Sequence, residues 1–295
     1  GPGGPPNRAL QGEIDRLPPS LTLDDLPAGR RWQMYIDPAH RETASALDDP
    51  GHLYDTEQSP GYQQSMLAAF GQHLAPRRLS FLGPGPVRTF AQYEALHDLV
   101  TAHLPRDGDG FRHVRHRSGR EVHPPTNFPM EGHNIPAPDI LHERVGERRL
   151  LSVWDPTLGY EGQEGICFAD YDPARGADEQ DVRIQTHYRT AEGPGHVQAV
   201  LDRYHADIRR AGPNRLGRLR AIVRCIRALH VIHAFRDANG RLHVTLMLQK
   251  MLLEQGFSPI ILQHAPGVFG GSYSIDELVG VVLRGMRAFH EASDG

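Results

Sequence analysis

Apolar residues recur at helical spacing through most of the C-terminal half of the chain. Leu216, Leu219, Ile222, Val223, Ile226 and Leu229 fall three and four positions apart, which predicts a helix from about Arg215 to Val231 with one buried face. Val244, Leu246, Met247, Leu248, Met251, Leu252 and Leu253 are apolar nearly all round, the pattern of a helix at the centre of a domain. Gly256 stands where a left-handed C-terminal cap is usual. Val197, Val200, Leu201, Tyr204 and Ile208 predict a helix ending near Gly212-Pro213. A last helix opens at the capping box Ser274-Ile-Asp-Glu277 and buries Leu278, Val281, Val282 and Phe289.

The N-terminal half is less regular. Met66, Leu67, Phe70 and Leu74 give one helical face, and the capping box Thr89-Phe-Ala-Gln92 opens a helix with Phe90, Tyr93, Leu96, Leu99, Val100 and Leu104 inside. Trp32, Met34, Tyr35 and Ile36 form the first apolar knot. Residues 111–190 carry Gly, Pro and short β-prone runs. They predict a hairpin over Phe111–His123 about Ser118-Gly119, and strands at Leu150–Trp154, Ile166–Tyr171 and Val182–Tyr188. The whole reads as a mainly α, α+β chain: a Pro/Gly-rich linker or strap over 1–30, an accessory α+β region over 31–175, and a helical core over 176–295.

Composition narrows this picture a little. Net charge is −4, with 32 basic and 36 acidic residues, so no global field steers the chain to nucleic acid or membrane. No apolar run approaches the roughly 18–20 residues of a membrane span, and the N-terminus is no signal peptide, so a soluble protein is expected. Two cysteines, Cys167 and Cys225, exclude a disulfide scaffold. The chain starts without Met, on Gly-Pro-Gly-Gly-Pro-Pro, which suggests a fragment of a longer protein.

The chemistry gathers in the polar stretch between the two central helices, His233-Ala-Phe-Arg-Asp237-Ala-Asn239-Gly-Arg241. It leads into a helix N-terminus, where free backbone N–H groups and the macrodipole favour an anion. Ala238 and Gly240 bring almost no side chain, so an anion can approach the backbone, and Arg241 can fork onto phosphate oxygens. Asp237 can hold a magnesium ion that bridges phosphates, and His233 can take a proton from a hydroxyl. Base, metal ligand and anion cradle together describe phosphoryl or nucleotidyl transfer.

This segment resembles the signature of Fic-domain proteins, matching at His233, Phe235, Asp237, Ala238, Asn239, Gly240 and Arg241. The resemblance implies a Fic-type helical core preceded by a β-containing segment and a flap hairpin that holds the target. By resemblance His233 is the base and Phe235 packs the loop into the core. Asp237 would bind Mg2+. Ala238, Asn239, Gly240 and Arg241 would hold phosphate. The implied activity is transfer of a nucleoside monophosphate, AMP from ATP first, onto a Ser, Thr or Tyr hydroxyl of a protein substrate. Val182–Tyr188, with Ile184 and Thr186, is the candidate flap strand; an ordinary structural hairpin is the competing reading.

One position departs from the family. Val244 stands where a second arginine commonly contacts the distal phosphate and pairs with an inhibitory glutamate. UTP, or a diphosphate-linked donor such as CDP-choline, therefore joins ATP as a candidate, with UMP or phosphocholine as the group moved. The inhibitory pattern has one match, Thr157-Leu-Gly-Tyr-Glu161-Gly162; Pro156 and Gly159 favour a turn there. Low lysine, high arginine and no convincing inhibitory element suggest an unrestrained bacterial effector or toxin, in the bacterial cytoplasm or secreted into a target cell.

Plainer readings stand beside these. Arg215, Arg218, Arg220, Arg224 and Arg227 read as the solvated face of an amphipathic helix, and His230 as a satisfied core residue. His243 either faces the donor or packs, with packing favoured. His113, His116 and His123 lack a zinc-site spacing, and Gly83-Pro-Gly-Pro86 is not followed by the residues of a P-loop. The alternatives to transfer are a Fic fold that only binds a partner, and a metal-dependent phosphohydrolase built on the same loop.

Overall fold

The computed structural model describes residues 4–57, 59–75, 84–104 and 127–295. The hairpin expected over Phe111–His123, its Ser118-Gly119 turn, His113, His116, His123 and Gly83 lie outside the described residues.

Eight α-helices and five strands are described: α1 (Arg8–Asp15), α2 (Arg41–Ser45), α3 (Tyr62–His73), α4 (Phe90–Val100), β1 (Asn127–Pro129), β2 (Arg144–Val145), β3 (Arg148–Val153), β4 (Gly165–Asp170), β5 (Arg183–Thr186), α5 (Gly193–Ala211), α6 (Arg215–Ile232), α7 (Leu248–Glu254) and α8 (Ile275–Asp294). Between the signature loop and α7, Arg241–Met247 forms a π-helical turn, a feature that recurs at functional sites. The fold is mainly α with a small sheet, as the apolar spacing and the β-prone runs imply.

Helix α6 is the axis. Asn214 caps its start by accepting the Gly217 N–H at 2.9 Å. Its apolar face is far wider than a single stripe, because α5, α7, α8 and the sheet all pack on it. The helix is therefore buried nearly all round; of its arginines Arg215 is exposed, Arg218, Arg220 and Arg224 are half-buried and Arg227 is buried, and all five are tied to neighbouring elements. Arg227 is only 1% exposed and bonds Asp139 and Glu143, both at 2.8 Å. Arg220 forks onto Asp276 at 2.8 and 2.9 Å, and Arg224 reaches Glu143 and Asp207. Arg215 and Arg218 donate to the carbonyls of Ile14 and Gln255. The expectation of a solvated face fails because each guanidinium finds an acid or carbonyl on a neighbouring element that spacing along α6 cannot reveal.

The strands form one sheet in the order β1-β5-β4-β3-β2, with β3 and β4 parallel and the other pairs antiparallel. Burial along β4 is nearly continuous, because α6 covers it. Helix α1, inside the segment read as linker or strap, buries Leu10 and Ile14 against α6 and α8. Both capping boxes form, at Thr89 and at Ser274, and Gly256 holds φ +82° just past α7. The 157–162 segment is a turn pinned by the Gln163 carboxamide, whose Nε2 donates to the carbonyls of Asp155 and Gly159.

Candidate active site

The last carbonyls of α6 have no partner inside the helix, and the sheet region supplies two. The Cys167 thiol on β4 donates to the Val231 carbonyl at 3.2 Å, and the Tyr188 hydroxyl donates to that of Ile232 at 2.5 Å. The helix ends on His233, left-handed at φ +52° and ψ +54°. This twist turns the imidazole back so that its Nδ1–H donates to the His230 carbonyl at 3.1 Å. Nε2 is thereby the proton-accepting atom of the ring. The ring lies flat on Phe128 of β1, with centroids 4.2 Å apart.

The rest of the loop is held from inside and from behind. Phe235 is fully buried and stacks on His97 of α4 at 3.7 Å, with the Tyr93 ring stacked near it at 5.5 Å. His97 donates its Nε2–H to the Asp237 carbonyl at 3.0 Å; burial first, then nearby Arg241, holds its pKa down to about 4, so it is a neutral donor. The Asn239 carboxamide accepts the Phe235 N–H at 3.2 Å and donates to the Phe235 carbonyl at 2.8 Å. The side chain of Asn239 is thus a staple of the loop.

Ala238, not Gly240, takes the left-handed position, at φ +65°. Gly240 has ordinary helical angles, and a Cβ there would meet only His230 Cε1 at 3.8 Å. The fold itself does not need glycine at 240. What the absent side chain leaves is open space at the first turn of the helix.

That space belongs to a cavity of about 760 Å³. His230, His233, Asp237, Ala238, Asn239, Gly240 and Arg241 line one side, with Arg236 exposed among them. The opposite wall comes from the accessory region: Asp37, His40, Tyr54, Thr56, Ser59 and Tyr62. Phe128, Pro129 and Glu131 complete it beside β1. Arg241 joins the two sides. Its Nη1 donates to the Val100 carbonyl at 3.0 Å, and its guanidinium lies 4.5 Å over the Tyr62 ring.

Sequence reasoning did not anticipate the wall. Its residues sit about 180 positions before the loop, with no spacing that ties them to it. Arg236 was legible only as the unassigned position between Phe235 and Asp237. Val244 is buried, and Thr245 lines the cavity in its stead, a hydroxyl where an arginine was looked for. His243 packs, fully buried, as favoured.

The flap assignment is corrected. Ile184 and Thr186 are buried on β5, and both edges of β5 are occupied, by β1 and by β4. No incoming strand can add there. Among the described residues β1 is the edge strand beside the site, where Phe128 touches His233.

For a metal, the carboxylate on the loop side is Asp237, beside a helix N-terminus; Asp37 and Glu131 line other parts of the cavity. Among the described residues no group of three or more His, Cys, Asp or Glu side chains converges on one point. One carboxylate with room for substrate oxygens and water suits magnesium and not a closed protein cage. No helix among the described residues is long and apolar enough to cross a membrane.

A helix ending on an inward-turned histidine, a stapled acidic loop and an open helix start are what the resemblance to the Fic signature implies, here set in a mainly α fold. The phosphocholine transferase AnkX of Legionella pneumophila is 38% identical over 87 residues, which are 30% of this chain and only 9% of that protein. Among solved structures, a Fic-domain-containing signaling protein from Bacteroides thetaiotaomicron aligns over 98% of this chain and 96% of its own, with 11% identity and a TM-score of 0.47. No family model matches the chain.

Proposed function

We propose that this chain is a Fic-type transferase that moves a phosphate-linked group from a diphosphate-containing donor to a protein hydroxyl. The observation that carries it is the orientation of His233: Nδ1–H is committed to the His230 carbonyl, which makes Nε2 the base, in the wall of a cavity that also holds the first turn of the next helix. The target Ser, Thr or Tyr oxygen attacks phosphorus as its proton passes to His233 Nε2. The bond from phosphorus to the bridging oxygen breaks, and the other part of the diphosphate leaves carrying that oxygen: CMP from CDP-choline, pyrophosphate from ATP. Charge on the phosphoryl oxygens falls to the backbone N–H groups at Asn239 and Gly240, to Arg241, and to Arg236 at the rim. Asp237 is the residue that would hold magnesium, which would supply positive charge to the donor phosphates.

The donor that fits best is CDP-choline, with phosphocholine transferred and CMP released. Thr245 lines the cavity and Val244 is buried, so neither supplies the cation expected for a third phosphate. The relative named as a phosphocholine transferase adds support. ATP, transferring AMP, is the second reading, because the loop matches the family at every other position. Incubation with magnesium and CDP-choline, ATP or UTP, in the presence of a eukaryotic cell extract, separates them. CMP release with phosphocholine-labelled protein supports the first, and AMP-labelled protein the second. Release without protein labelling marks a phosphohydrolase. Tight binding of a donor with no release marks a binding module.

A further inference from the structure

The proposed chemistry leaves unexplained a chain of three buried polar side chains behind the loop: Tyr93 on α4, His243 in the π-helical turn, and His230 in the last turn of α6. The Tyr93 hydroxyl is 2.5 Å from His243 Nε2, and His243 Nδ1 is 3.3 Å from His230 Nδ1. Burial pushes the Tyr93 phenol well above its ordinary pKa, so it keeps its proton. Among the described residues His243 Nε2 is the one hydrogen-bond partner of this fully buried hydroxyl, so its O–H is satisfied by donating to that nitrogen. Burial, then the neighbouring histidines, holds His243 well below the usual imidazole range, and His230 down to about 3, so both rings are neutral.

A neutral imidazole has one donor and one acceptor, and the chain settles which is which. His243 accepts at Nε2, so its proton is on Nδ1 and donates to His230 Nδ1. His230 then carries its proton on Nε2. That edge of the ring lies between two glycines. His230 Cε1 is 3.8 Å from where a Cβ on Gly240 would stand, and Cδ2 is 3.8 Å from the same point on Gly270. The side chain lines the cavity, and Gly240 opens the helix that would receive the phosphoryl group.

We propose that His230 is a catalytic hydrogen-bond donor, its neutral Nε2–H held toward the phosphoryl oxygens by the positioning residues His243 and Tyr93. The two imidazoles at the end of α6 then have opposite polarity at Nε2. His233 accepts a proton and His230 donates a hydrogen bond, and the rings meet edge to face at 5.6 Å. A neutral donor can stabilise developing charge without a proton that would be lost to the nearby base, the division of labour seen where an imidazole acts as electrophile. The same donor also occupies part of the role left open by Val244. This inference rests on the site taking a phosphate-containing donor.

Two readouts keep it separate from that reading. In the full chain with 15N-labelled histidine, long-range 1H–15N spectra should show His230 in the Nε2–H form and His243 in the Nδ1–H form at neutral pH. Tyr93→Phe should release that preference. Addition of magnesium pyrophosphate should shift the His230 Nε2 proton and leave that of His243 nearly still. An Nδ1–H or charged His230, or no shift with pyrophosphate bound to the protein, overturns the proposal whatever the natural donor is. In CMP release from CDP-choline, His230→Phe should lower kcat by about 10²–10³-fold, the usual effect of one such donor. His230→Gln, whose amide reaches the same place, should recover most of it at similar thermal stability. Equal loss in both folded variants would make the role structural and would likewise overturn it.

Discussion

The two sides of the cavity are built on different terms. The loop side, residues 230–245, comes from one continuous piece of chain whose groups bond mostly one another: His233 to His230, Asn239 to Phe235, and Asp237 Oδ1 to the Ala238 N–H. The far wall, residues 37–62, is a set of 3₁₀ turns and short helices tied by tyrosines. The Tyr54 hydroxyl accepts the Asp37 N–H at 3.1 Å and bonds His40 Nδ1 at 2.7 Å, and its ring stands edge-on to Tyr62 at 5.1 Å. In the proposed reaction the first side would hold the groups that do chemistry, and the second the groups that choose what enters. A rigid reaction centre facing a separately built wall lets donor choice vary without moving the base.

Breaking the loop side should therefore affect turnover, and breaking the wall should affect binding. The largest effect is expected for His233→Ala, a fall in kcat of about 10²–10⁴-fold with the thermal midpoint unchanged, checked by donor cleavage beside a melting curve.

Acid should come next. His97 and His103 have pKa values held down to about 4, and His230 to about 3, in each case first by burial. The unfolded chain takes up these protons as pH falls below about 6.5, whereas the folded chain does so only near 4 or lower. Stability is thus complete above that window and lost on descending through it. Melting temperature against pH should drop between pH 6.5 and 4 with uptake of more than one proton. A flat profile there would contradict the neutral histidines.

Asn239→Ala removes both bonds to the Phe235 backbone and leaves buried partners unmet, for about 2–3 kcal/mol. A side chain that only touched phosphate would leave denaturant unfolding unchanged. Tyr54→Phe keeps the ring and removes its hydroxyl ties, worth about 1 kcal/mol, so KM for the donor should rise several-fold with kcat kept. A fall in kcat instead would join the wall to the reaction centre. The smallest effect is expected for Ala238→Gly, which relieves a left-handed alanine and should raise stability by up to about 1 kcal/mol.

How much of this was legible follows the same division. The helices about the loop came from apolar spacing, and the loop residues from a motif, because both are local along the chain. Gly256 and the two capping boxes were readable for that reason. The arginines of α6 were misread because Glu143, Asp139 and Asp276 lie at remote positions. Ile184 and Thr186 were placed on a strand correctly, but strand order is a tertiary fact, and β1 covers the edge they would have offered. The wall was invisible because nothing in Asp37, His40 or Tyr54 marks them as neighbours of Gly240. Even within the motif, the conformational burden falls on Ala238 and not on Gly240, which residue type alone would have reversed.

The most direct measurement is 31P NMR of CDP-choline incubated with magnesium, an acceptor-bearing cell extract and the chain, wild type beside His233→Ala. Appearance of CMP and of protein-linked phosphocholine with the wild type alone is the expected result. Equal conversion by a folded His233→Ala chain would remove His233 from the chemistry. Intact CDP-choline with the wild type, while ATP yields AMP-labelled protein, would keep the base and overturn the donor.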